Sequence, residues 1–98
     1  MAHKRLPKQD ELAVRTQQVE RETERVKERI EQAKASGRIS STQADILAKK
    51  ADELKDFKVR LLKMSVADRH AAREKKEQEL AEWLSENKIE EDYLKRIL

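Results

Sequence analysis

The side chains best suited to chemistry in this 98-residue chain are its charges, and they are sorted along it. Between Lys58 and Lys76 the bases Lys58, Arg60, Lys63, Arg69, Arg73, Lys75 and Lys76 outnumber Asp68 and Glu74. From Glu77 to Asp92 the balance inverts: Glu77, Glu79, Glu82, Glu86, Glu90, Glu91 and Asp92 face Lys88 alone. A basic run of this kind can meet phosphates or an acidic protein surface. Equally, the two blocks can neutralise each other within the chain or between subunits, since charge runs are usually solvated faces. Phosphate or acidic-partner contact would fall to Lys58, Lys63, Arg69, Arg73, Lys75 and Lys76. Phe57, Trp83 and Tyr93 are the only rings, and two of them sit in apolar patches, which argues against base stacking. Contact with a phosphate backbone stays open.

Catalysis finds little to work with. A hydrolase needs an activated nucleophile beside a base, and here there is no cysteine and only His3 and His70. His3 lies in the basic start of the chain, and His70 stands among charges, which suits a surface residue. No carboxylate is embedded in an apolar run that would raise its pKa toward general-acid use. No Glu-x-x-His pair marks a di-iron bundle, and a single glycine cannot build a phosphate-cradling loop. The expectation is a protein without catalytic residues, cofactor or metal ligands.

A third group is apolar. Leu80, Trp83, Leu84, Tyr93, Leu94 and Ile97, with Leu98 behind them, crowd the last fifth of the sequence. Aromatics at helical spacing most often complete a core. The alternative is an exposed end that binds a protein partner or a second copy, because Trp and Tyr are the commonest anchors of such surfaces.

The elements that position these groups are helices. The composition is 44% charged and 37% hydrophobic, with one glycine and one proline, which is that of a coiled coil or long-helix protein. Turn residues are too few for a β-rich fold. The organising stretch is Ser36 to Gln43: Gly37 suits the left-handed position after a helix end, and Ser40 with Gln43 forms a capping box for the next helix. Ile39 and Ala44 make a modest hydrophobic staple. Stop, turn and start are thus all written within eight residues.

Before this turn, a helix is expected over about 8–36, with Leu12, Val19, Val26 and Ala33 recurring every seven residues and Thr16, Thr23 and Ile30 between them. After it, Leu47, Leu54 and Leu61 lead the best core-forming face, joined by Phe57, Met64, Ala44 and Ala51, over about 41–64. Lys50 interrupts that stripe and must snorkel. The later apolar residues follow a different register, and Ser65 with Asp68 resembles a capping box, so a break near Ser65 and a third helix over about 66–86 are expected. Asn87 is suited to stop it, and Asn87-Lys88-Ile89 echoes Gly37-Arg38-Ile39. A short fourth helix is expected over about 90–98, and residues 1–8, with Pro7, form a basic flexible arm.

The fold class is therefore all-α: an antiparallel helical hairpin, extended by a third helix and a short fourth into a bundle with coiled-coil-like packing, in a single domain over 9–98. Leu12, Val19, Val26, Ile30, Leu47, Leu54, Phe57 and Leu61 are its expected seam. The apolar supply is thin for a domain of this size, so self-association is expected. No apolar run approaches the ~20 residues that cross a bilayer, and a cytoplasmic location is expected. The function these features point to is a non-enzymatic protein–protein interaction module, such as an adaptor, assembly factor, small chaperone or inhibitor. A nucleic-acid accessory protein using the basic stretch is the alternative.

Overall fold

The computed structural model describes residues 8–98; of the arm expected over 1–8, Lys8 instead opens the first helix, and the rest, His3 included, lies outside the described residues. Three helices follow one another: α1 Lys8–Ala35, α2 Ser41–Leu61 and α3 Val66–Glu86. There is no strand among the described residues.

The α1–α2 turn is built as its sequence dictates. Gly37 takes φ +80, a region open to glycine at no Cβ cost. The Arg38 amide donates to the Ala33 carbonyl at 2.9 Å and the Gly37 amide to Lys34 at 3.1 Å, which satisfies carbonyls left orphaned at the end of α1. Ser40 Oγ accepts from the Gln43 amide at 3.0 Å, and Gln43 Oε1 accepts from the Ser40 amide at 2.9 Å, so the capping box is complete. Ile39 and Ala44 are both buried. So short a connection forces α2 to fold back along α1.

The heptad positions become the core. Val19, Thr23, Val26, Ile30 and Ala33 of α1 are buried, as are Ala44, Leu47, Ala51, Leu54 and Leu61 of α2. Thr23 is tolerated at 1% exposure because its hydroxyl donates to the Val19 carbonyl at 2.7 Å. Lys50 does lie along the surface, its Nζ 3.2 Å from Glu53 and 4.9 Å from the Trp83 ring centre. Leu12 and Phe57, at the ends of the seam, are only half-buried and Met64 is exposed.

The chain breaks after Leu61. Turn bonds from Lys63 to Arg60 and Met64 to Leu61 end α2, and Ser65 Oγ accepts from the Asp68 amide at 3.2 Å to start α3. α3 then contributes little to the core, burying only Leu80 and Leu84, with Trp83 partly covered. Its stop differs from expectation by one residue. Asn87 keeps φ −94 while Lys88 takes the left-handed conformation at φ 59. The Asn87 side chain instead donates to the Trp83 carbonyl at 2.8 Å, and the Ile89 amide reaches back to Leu84 at 2.9 Å. The bond pattern is that of the Gly37 stop, used a second time.

Residues 90–98 are not the short helix the sequence suggests. They form successive turns, in which Asp92 Oδ1 accepts from the Leu94 amide at 3.0 Å and so competes with helical pairing. This tail is nonetheless deeply packed: Ile89, Tyr93, Leu94 and Ile97 join α1, α2 and α3 in one cluster.

Three substitutions test this account by urea unfolding. Leu94→Ala should cost about 2–5 kcal/mol, as for other buried leucines. Gly37→Ala meets no atom within 4 Å and should cost only the backbone strain, about 1 kcal/mol. Lys88→Gly should raise stability by roughly 0.5–1 kcal/mol by relieving the same strain at the second stop. A Leu94→Ala cost well under 1 kcal/mol would contradict the packed tail.

Candidate functional site

Both α1 and α3 pack on α2, and no Cα of α1 lies within 8 Å of a Cα of α3. A cleft therefore runs between them. Near the α1–α2 turn the tail fills it: Tyr93 and Glu91 face Arg29, Ala33, Ser36 and Arg38 across a shallow hollow. Gln43 ties this end together, its side-chain amide donating to the Asn87 and Lys88 carbonyls at 3.3 and 3.4 Å. The tail then climbs the cleft until Lys58 Nζ donates to the Leu98 main-chain oxygen at 2.8 Å. Beyond that point the cleft is open.

The open portion is a groove of about 740 Å³. Arg15 comes from α1, Lys58 from α2, Arg69 and Arg73 from α3, and Arg96 from the tail; Val14, Val19, Leu62, Ile97 and Leu98 supply apolar surface. Two acids, Glu11 and Glu22, lie on the α1 wall, and Glu22 is engaged by Arg25 at 3.2 Å. Lys58 is met by the Leu98 main-chain oxygen, and among the described residues no Asp or Glu side chain lies within 4.0 Å of any of the five bases. Ion pairs elsewhere are mostly local, as in Lys76–Glu79 at 3.3 Å, with Lys27–Asp52 at 2.7 Å joining α1 to α2. The acidic block of the sequence thus contributes no residue to the groove.

The cations feel one another. Partial burial, then the neighbouring charges of Arg73, Arg69 and Arg15, hold the Lys58 pKa below its usual 10.5. Arg69 Nη2 donates to the Met64 carbonyl at 3.2 Å, but the Nε–H groups of both Arg69 and Arg73 are shut away from solvent without a partner. Buried donors left unmet are uncommon and costly. A second hollow of about 440 Å³ adjoins the groove, sharing Glu11, Arg15, Leu62 and Arg69 and adding Leu12, Lys63 and Met64. Val14, Met64 and Val66, the large apolar side chains most open to solvent, also gather at this end, at 53%, 37% and 76% exposure.

The sequence-derived candidates divide. Lys58, Arg69 and Arg73 converge in the groove, and Lys63 lines the adjoining hollow. Lys75 is exposed away from both. Lys76 is turned onto the Phe57 ring, 4.9 Å from its centre. Arg15 and Arg96 belong to the groove although the sequence offered no sign of it; each is one base among many until the fold brings opposite parts of the chain together. The apolar set is corrected in the other direction. Leu80, Leu84, Tyr93, Leu94 and Ile97 are each at most 7% exposed and Trp83 packs partly against them, so they belong to the core, and of this set only Ile97 borders the groove. Burial and the Glu91 charge, opposed by Arg38, push the Tyr93 phenol pKa upward. His70 is exposed, 3.7 Å from Glu74.

No family model, curated protein or solved structure matches the chain. Among the described residues, no helix is long and apolar enough to cross a membrane.

Lys58 provides a test of the groove's field. Its folded pKa is depressed, so the repulsion is fully felt below that value, and stability rises as pH climbs through it toward 10.5. NMR titration of the Lys58 side chain should show Arg73→Gln moving its pKa upward while leaving it below 10.5, since burial remains the larger cause. Lys58→Met should flatten the rise of stability with pH. An unchanged titration in Arg73→Gln would mean that the two groups do not share one field.

Proposed function

We propose that this chain is a non-enzymatic protein-binding module of the adaptor or assembly-factor kind, whose contact face is the basic groove and whose partner contributes an acidic segment. One observation carries this: five cations converge around an apolar floor, and among the described residues none of them is ion-paired with an Asp or Glu side chain. Removing apolar surface from water supplies affinity, and complementary charge supplies specificity and fast association.

A nucleic-acid backbone matches the charge but leaves the floor unused. Phosphate tracking also works best from bases strung along a surface, whereas Lys75 and Lys76 stand outside the groove. The apolar end expected to drive self-association is consumed by the core, so the working unit is proposed to be a single chain.

A photo-reactive phenylalanine analogue at Val14, on the groove wall and half-exposed, identifies the partner's chemistry in cells. The expected adducts are proteins cross-linked through acidic segments, and they should disappear in Arg69→Glu/Arg73→Glu. Adducts consisting of nucleic acid would overturn the proposal in favour of phosphate binding. Light scattering across a dilution series should return the monomer mass at low and high salt alike; a dimer that persists in high salt would contradict the internal packing of the tail.

A further inference from the structure

Building on the protein-binding role above, we infer that the groove seats an acidic amphipathic helix, laid between α1 and α3 as the fourth helix of a bundle. The seat is already defined by its neighbours. Two helices that flank a third with their backbones held apart and a groove between them leave open the fourth corner of a four-helix arrangement. The chain fills the lower half of that corner itself, burying Tyr93, Leu94 and Ile97 there. The groove is the same corner continued past Leu98, and the apolar surface of Ile97 and Leu98 leads directly into it.

The secondary structure of the occupant follows from the walls. The side walls are α1 and α3, helices whose main-chain donors and acceptors are already paired within each helix. They offer no open edge on which an extended peptide could add a strand. A helix satisfies its own main chain and needs from the groove only side-chain contact. The charge pattern of the occupant follows too. Arg69 and Arg73 stand one turn apart on the same face of α3, so they match carboxylates three or four residues apart on the facing edge of the guest. Carboxylates on that edge would meet the guanidiniums where Arg69 and Arg73 line the groove, with the charge-assisted bonds that arginine favours. The guest's apolar stripe would face Leu62, Val14 and Leu98. Its edge toward α1 meets Glu11 and Glu22 and therefore carries no acid.

The test is a selection of random displayed peptides of about 16 residues, roughly 24 Å as a helix, on the full chain. Arg69→Glu/Arg73→Glu serves as counter-selection and Lys75→Glu as a surface control outside the groove. Enriched peptides should carry acids at spacings of three or four beside an apolar stripe, and should gain helical circular dichroism when bound. Their affinity should fall about tenfold or more in Arg69→Glu/Arg73→Glu and stay unchanged in Lys75→Glu. If the double reversal does not fold, Arg69→Gln/Arg73→Gln replaces it under the same criterion. Acidic peptides that depend on the arginines but bind without gaining helix would overturn the helical guest and leave the protein-binding face standing. Peptides indifferent to the arginines, or none enriched at all, would overturn both. A duplex oligonucleotide that binds the wild-type chain more tightly than any selected peptide would overturn both in favour of nucleic acid.

Discussion

The apolar face of α2, formed by Ala44, Leu47, Ala51, Leu54 and Leu61, serves two neighbours at once. α1 lies along it for most of its length, and α3 leans on it over a shorter span. The backbones of α1 and α3 stay more than 8 Å apart, and the cleft between them has to be filled or left open. The tail fills it where Tyr93, Leu94 and Ile97 reach, and this is how a chain of thin apolar content still closes a core. Val19 and Leu61, at the groove end, are buried but stand apart from the main cluster. The groove is what remains when a three-helix packing is completed by a segment that spans only part of the cleft.

The chemistry of that remainder does not resemble the rest of the surface. Elsewhere the charges form short-range pairs of the kind that contribute little to stability and much to solubility. In the groove, like charges are held together, Lys58 is partly desolvated among arginines, and guanidinium donors go unanswered. Places where a fold works against its own electrostatics are expected at functional sites. A ligand bringing negative charge would relieve the repulsion, so the same feature that weakens the free chain favours the complex.

Much of the scaffold was legible in the sequence because it is specified locally. Gly37, Ser40 and Gln43 each act within a few residues of themselves, and the seven-residue spacing from Val19 through Ala33 marks a buried stripe whatever it packs against. The shift of register after Leu61, with Ser65 and Asp68, disclosed the break between α2 and α3. What could not be read was decided at long range. Propensity favours a helix after Glu90, but the cleft accepts a turn-rich segment that drives Tyr93, Leu94 and Ile97 inward. At the α3 stop, Asn87 is the better left-handed residue, yet its side chain is drawn to the Trp83 carbonyl and Lys88 takes the strain instead. Half of the groove was legible, through Lys58, Arg69 and Arg73. Arg15 and Arg96 were not, because nothing adjacent to them in sequence says that they face the same space.

The central claim is that the groove, and no other charged face, receives the acidic partner, and the arginine side chains can report this directly. In nitrogen-15 spectra, the Nε–H resonances of Arg69 and Arg73 can be followed as an acidic partner segment is added. The account predicts that these two shift first and furthest, with Arg15 and Arg96 following. Perturbation confined to Lys75, Lys76 and the outer face of α3, with Arg69 and Arg73 unmoved, would contradict it.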